Sequence, residues 1–197
     1  MDSSDDRTAS ETLRVGVIAG STRPTRRSPA IAHWVADDTS APTLQLHTID
    51  LLDHDLSLLS EPTAAAFGEY EQASTLAWSK TVASYDAFVL VAAEYNASFP
   101  AALKNALDHL YAEWHGKPVG LVGYGMAGGL LAVEALRPVV AELRMHVAPT
   151  TLALSAHRVD DGSYVPAKDE ADALRAMLGE IAVLGAALRI ARQDALA

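Results

Sequence analysis

Leu13-Arg14-Val15-Gly16-Val17-Ile18-Ala19 is a short apolar run that ends at Gly20, and Ser21-Thr22-Arg23-Pro24-Thr25-Arg26-Arg27-Ser28-Pro29 follows it directly. Ser28-Pro29 then opens a helical pattern through Ile31, Trp34 and Val35. The segment therefore reads as a strand, a loop and a helix. The loop gathers three guanidiniums and several hydroxyls at a helix N-terminus. Such a loop suits a phosphate: Gly20 lets the backbone approach, amides and hydroxyls donate, and arginine adds bidentate bonds. The plainer alternative is a solvated basic loop with Ser28 as a simple N-cap.

Working outward, the same alternation repeats. Thr43 to Ile49 alternates as a strand, Asp50 to Pro62 is irregular, and Gly68 to about Ala83 reads as a helix. Ala87 to Ala93 is a continuous apolar run, as expected of a parallel strand covered on both faces. Pro100 to Trp114 reads as a helix, Lys117 to Gly123 as a fourth strand, and Gly129 to about Met145 as a helix. Val147 to Leu154 is expected to be the fifth strand. Ser155 to Lys168 looks like an excursion loop before a long terminal helix carrying Leu174, Met177, Leu178, Ile181 and Leu188. Strands alternating with helices in this way imply an α/β, doubly wound parallel sheet with helices on both faces and ligands at the carboxyl ends of its strands.

Composition limits the chemistry. The 197 residues suit one domain, and 15 basic against 25 acidic residues give a net charge of −10, which opposes nucleic acid or an anionic membrane as partner. There is no cysteine, so disulfides, zinc thiolates and thiol redox chemistry are excluded and any redox role must come from a bound cofactor. The seven histidines show no metal-binding spacing. No long apolar run marks a leader or a membrane span, which carries the expectation of a cytoplasmic protein. Residues 1–11 are expected to be a flexible tail on a single domain of residues 12–197.

Two further segments stand at strand ends: Glu94-Tyr95-Asn96-Ala97-Ser98-Phe99-Pro100 with Leu103-Lys104-Asn105-Ala106-Leu107-Asp108, and Gly123-Tyr124-Gly125-Met126-Ala127-Gly128-Gly129. The glycine segment also fits a dinucleotide fingerprint, but that motif belongs after the first strand, and the acidic ribose partner is missing at Leu154-Ser155. A nucleoside-triphosphate loop is excluded by the absence of its Gly-Lys-Ser/Thr ending, and a phosphorelay receiver by Ala19 and Gly20 where acidic ligands would stand.

Taken together with the Gly-Ser-Thr-Arg-Pro loop, these segments resemble the NADPH-dependent FMN reductase family of flavodoxin-like quinone, azo and chromate reductases. Ala93 stands where the family usually carries proline. The resemblance implies a flavodoxin-like three-layer sandwich with a five-stranded parallel sheet in the order 2-1-3-4-5. It implies FMN as cofactor, with Ser21, Arg23, Arg26 and Ser28 at the phosphate. Glu94, Tyr95, Asn96 and Ala97 would line the isoalloxazine, Tyr95 covering the ring, and Gly125 belongs to the third loop. Hydride would pass from NADPH or NADH to the flavin and electrons on to a small acceptor by a ping-pong route, with no catalytic protein residue. A flavodoxin-type electron carrier without NAD(P)H oxidation, and a phosphate-binding module without redox chemistry, are the alternatives. A homodimer, or a dimer of dimers, is expected. The helix after the fourth strand spreads Leu131, Val133, Ala135, Leu136, Val139, Val140 and Leu143 over an arc wider than one sheet contact needs.

Overall fold

The computed structural model describes residues 12–194, with side chains through Arg189, so the tail expected at residues 1–11 lies outside the described residues. Strands β1 (Leu13–Ala19), β2 (Leu44–Asp50), β3 (Ala87–Ala93) and β4 (Pro118–Gly125) run parallel in the order β2-β1-β3-β4. All seven residues of β3 are buried, since helices cover both faces of the sheet there. Helices α1 (Ser28–Ala36) and α5 (Lys168–Asp194) close one face, over a core that includes Val15, Val17, Ile31, Met177 and Ile181. Helices α2 (Ala73–Ala83), α3 (Ala101–Asp108) and α4 (Leu130–Glu142) close the other, where Trp78, Phe88 and Trp114 pack edge to face. The result is the three-layer, flavodoxin-like sandwich with β1 and β3 at its centre.

Several elements differ from the expectation. The fifth strand is two short pieces, β5 (His146–Val147) and β6 (Leu152–Ser155), both paired in parallel with β4. Pro149 lies in the break, where a missing N–H rules out a continuous ladder. The excursion after β6 is not bare loop, because β7 (Val159–Asp160) and β8 (Ser163–Tyr164) form a small antiparallel hairpin whose Tyr164 packs on Trp34 of α1 at 4.8 Å. Helix α2 begins at Ala73 rather than Gly68. Gly68 sits at φ 68°, and the Glu61 carboxylate accepts the Glu71 and Gln72 amides at 2.9 and 3.0 Å just ahead of the helix. Helix α3 stops at Asp108, and a single 3₁₀ turn at Ala112–Trp114 takes the place of its expected last turns.

Candidate active site

A cavity of about 360 Å³ opens at the carboxyl ends of β1, β3 and β4. Three loops wall it, one following each strand. Arg23, Thr25, Arg26 and Arg27 come from the loop after β1, Glu94 and Tyr95 from the end of β3, and Tyr124, Gly125 and Met126 from the end of β4.

The first loop is knitted to itself. Ser21 N–H donates to Ser28 Oγ at 3.3 Å, and the Ser28 hydroxyl donates back to the Ser21 carbonyl at 3.4 Å. Arg26 N–H closes on the Arg23 carbonyl at 3.0 Å, and Arg27 stands at the N-cap of α1. Both serines are completely buried and form the floor of the loop rather than its cavity face. Arg26 Nη2 donates to Asp50 Oδ2 at 2.7 Å, at the end of β2. Its Nε is buried with no partner, in a side chain that lines the cavity. A buried donor left open is costly unless something fills it. With guanidiniums around it and the positive end of α1 beneath, the group that fits is an anion of phosphate type. The residues present therefore fit the phosphate of FMN.

The middle loop makes a tight turn. Tyr95 N–H donates to the Ser98 carbonyl at 2.8 Å and Ser98 N–H to the Tyr95 carbonyl at 3.1 Å, across Asn96 and Ala97 at φ 51° and 62°. Two left-handed central residues define the primed hairpin turn, which costs strain for a residue such as Ala97. Asn96 and Ala97 are exposed at its tip and do not line the cavity, whereas Tyr95 does. The Tyr95 hydroxyl shares a 2.6 Å hydrogen bond with Ser21 Oγ, and the Arg23 guanidinium lies over its ring, 5.6 Å from the centroid. Tyr95 is thus tied to the first loop, an arrangement different from a ring free to cover a flavin.

The third loop relies on backbone geometry. Gly128 and Gly129 lie at φ 95° and 74°, and a Cβ at Gly129 would fall 2.2 Å from the Tyr124 nitrogen. Only glycine fits so close a return of the chain over β4. Met126 at its crest is 74% exposed. Glu94 links the second and third loops: its N–H donates to the Tyr124 carbonyl at 2.8 Å, and its carboxylate accepts the Leu131 amide at 3.0 Å, in the first turn of α4. A Cβ at Gly125 would lie 3.1 Å from Glu94 Cβ, a tight contact.

Sequence reading missed Asp50 and Tyr124. Asp50 reads as the start of an irregular segment although it ends β2, and Tyr124 reads as part of the glycine segment. Tyr124 is buried beside the Ser21 and Ser28 hydroxyls and the Arg27 amide, and burial pushes its phenol above the usual tyrosine range.

The chain has clear relatives. The family model for NADPH-dependent FMN reductase matches residues 13–158, which takes in all three loops. An NAD(P)H-dependent FMN reductase of Schizosaccharomyces pombe is 43% identical over 150 residues, covering 75% of this chain and 75% of that one. Another of Saccharomyces cerevisiae is 36% identical over 147 residues, covering 68% and 77%. The solved structure of FerB, a flavoenzyme NAD(P)H:(acceptor) oxidoreductase from Paracoccus denitrificans, superposes with a TM-score of 0.66 at 21% identity, over 88% of this chain and 97% of that one, a likeness of fold. With the match spanning β1 to β6 and the cavity at the strand ends, this chain belongs to the NADPH-dependent FMN reductase family and is a flavin-linked oxidoreductase with NAD(P)H as its donor.

Proposed function

We propose that the cavity seats FMN with its phosphate on the Ser21–Ser28 loop and its isoalloxazine between the turn after β3 and the loop after β4. In this reading the chain passes electrons from NAD(P)H to a small acceptor such as a quinone, free flavin, azo compound or chromate. The observation that carries it is the open, buried Arg26 Nε in a cavity flanked by Arg23, Arg27 and the start of α1. Bound FMN supplies the two-electron chemistry, and the chain's residues bind and orient it. Arg23, Arg26 and Arg27 hold the phosphate charge, Asp50 fixes the Arg26 guanidinium, and Ser21 and Ser28 shape the loop from beneath. Glu94 holds the third loop against the second, and Met126 leaves an apolar approach for nicotinamide and acceptor in turn.

One shared approach implies a ping-pong order. Initial rates of flavin-loaded protein, varying NADPH against a quinone, are expected to give parallel double-reciprocal lines. Intersecting lines would contradict a shared face. Among the described residues no helix is long and apolar enough to cross a membrane, and a cytoplasmic site of action goes with the use of NAD(P)H.

The same reading includes a homodimer, or a dimer of dimers. Helix α4 buries Ala132, Val133, Leu136 and Val140 within the chain, while Leu130 and Leu131 remain 54% and 50% exposed and Ala135 and Val139 are half-buried. A second apolar stripe is left for another copy. Light scattering at micromolar concentration is expected to report at least a dimer, and Val139→Arg to dissociate it and lower activity. A fully active wild-type monomer would sink the idea.

A further inference from the structure

The phosphate loop belongs to β1 and α1, and the turn beside the ring belongs to β3 and α3. Among the described residues one side-chain hydrogen bond joins them, the 2.6 Å contact between Ser21 Oγ and the Tyr95 hydroxyl. We propose that Tyr95 is a positioning residue through which the phosphate site sets the turn beside the ring, so that the chain selects a phosphorylated flavin twice, by arginine contact and by this bond. The inference rests on the FMN reading above and deepens it.

Ser21 is completely buried, so water does not compete for its hydroxyl. Tyr95 is held at both backbone groups by Ser98, which ties its main chain to the strained Asn96–Ala97 turn, and its hydroxyl is held by Ser21. An anion held by Arg23, Arg26 and Arg27 restrains the loop that carries Ser21, and through the Ser21 hydroxyl it restrains Tyr95. Linkage makes the effect mutual: if phosphate strengthens the Ser21–Tyr95 bond, the bond strengthens phosphate binding by the same factor. Riboflavin offers the same ring without the phosphate and draws on none of this coupling. Arg23, lying over the Tyr95 ring, adds a second connection between the two sites.

The test compares FMN with riboflavin on wild type, Tyr95→Phe, Ser21→Ala and the double variant. Each protein is loaded with one flavin, and release on dilution is followed by flavin fluorescence. Tyr95→Phe removes one oxygen and keeps the ring, and circular dichroism checks that it is folded. FMN affinity is expected to fall about three- to tenfold, the worth of one hydrogen bond. Riboflavin affinity is expected to change less than about twofold, and the double variant to be no weaker for FMN than the worse single. Equal losses for both flavins, no loss for FMN, or multiplied losses in the double variant would overturn the proposal while leaving the FMN reading intact. Wild-type protein that retains neither flavin would overturn both.

Discussion

The loop from β1 to α1 holds its shape by side chains: buried serine hydroxyls, an arginine on Asp50, and a tyrosine reaching in from β3. The loop from β4 to α4, facing it across the same cavity, has glycine backbone geometry and one carboxylate from Glu94. The first can lose a contact and keep its path, because others hold it. The second has no redundancy in its backbone, since a single added carbon collides with the strand below. A binding wall made of charged side chains is tuned by residue type, and one made of glycine is tuned by shape. The pairing suits a ligand with a charged end and a flat end.

The contrast breaks hardest at Gly129. Gly129→Ala forces a left-handed alanine and a backbone collision, at a cost of more than about 3 kcal/mol. Thermal melting is expected to fall by roughly 6–12 °C or the folded yield to collapse; a melt unchanged within about 2 °C would show the loop to be more yielding than its geometry implies. In the side-chain loop, Arg23→Ala is expected to leave the fold alone and weaken FMN about ten- to hundredfold, the loss of one charge-assisted bond. Riboflavin affinity should barely change, and equal weakening of the two would remove Arg23 from the phosphate. The smallest effect belongs to Glu94→Ala, which strips the first turn of α4 of an acceptor at about 1 kcal/mol, or 2–4 °C in the melt. Hydrogen exchange should quicken at the Leu131 amide and stay unchanged at Ser21. Protection lost at both would mean that the two loops are not separately built.

Legibility in the sequence followed the same division. The run Leu13–Ala19, the basic loop and the Ser28-Pro29 start of α1 were plain because residue type and period announce them. The sandwich and its strand order followed from alternation and resemblance. Which way Ser21 and Ser28 face was not legible, because their burial depends on Tyr95 and Tyr124, which lie far away in the chain. That Asn96 and Ala97 form an exposed turn tip is not legible either, since the Tyr95–Ser98 pairing that lifts them carries no local signature beyond Asn96 itself. The early start expected for α2 failed for a similar reason: the Glu61 carboxylate that holds the amides before Ala73 comes from a preceding loop. Pro149 did announce the break in the fifth strand, but the apolar residues around it favoured a single run.

That broken strand has a consequence for life in a crowded cell. An exposed sheet edge is a template on which another chain can stack, and long unbroken edges are where aggregation starts. Here β5 and β6 offer only short lengths of ladder beside β4. In the gap between them Pro149 has no N–H to give, and Glu180 of α5 accepts both the amide and the hydroxyl of Thr150, at 2.8 Å each. A stray strand therefore finds few open bonds along this margin, in contrast to the unbroken β2 at the opposite edge.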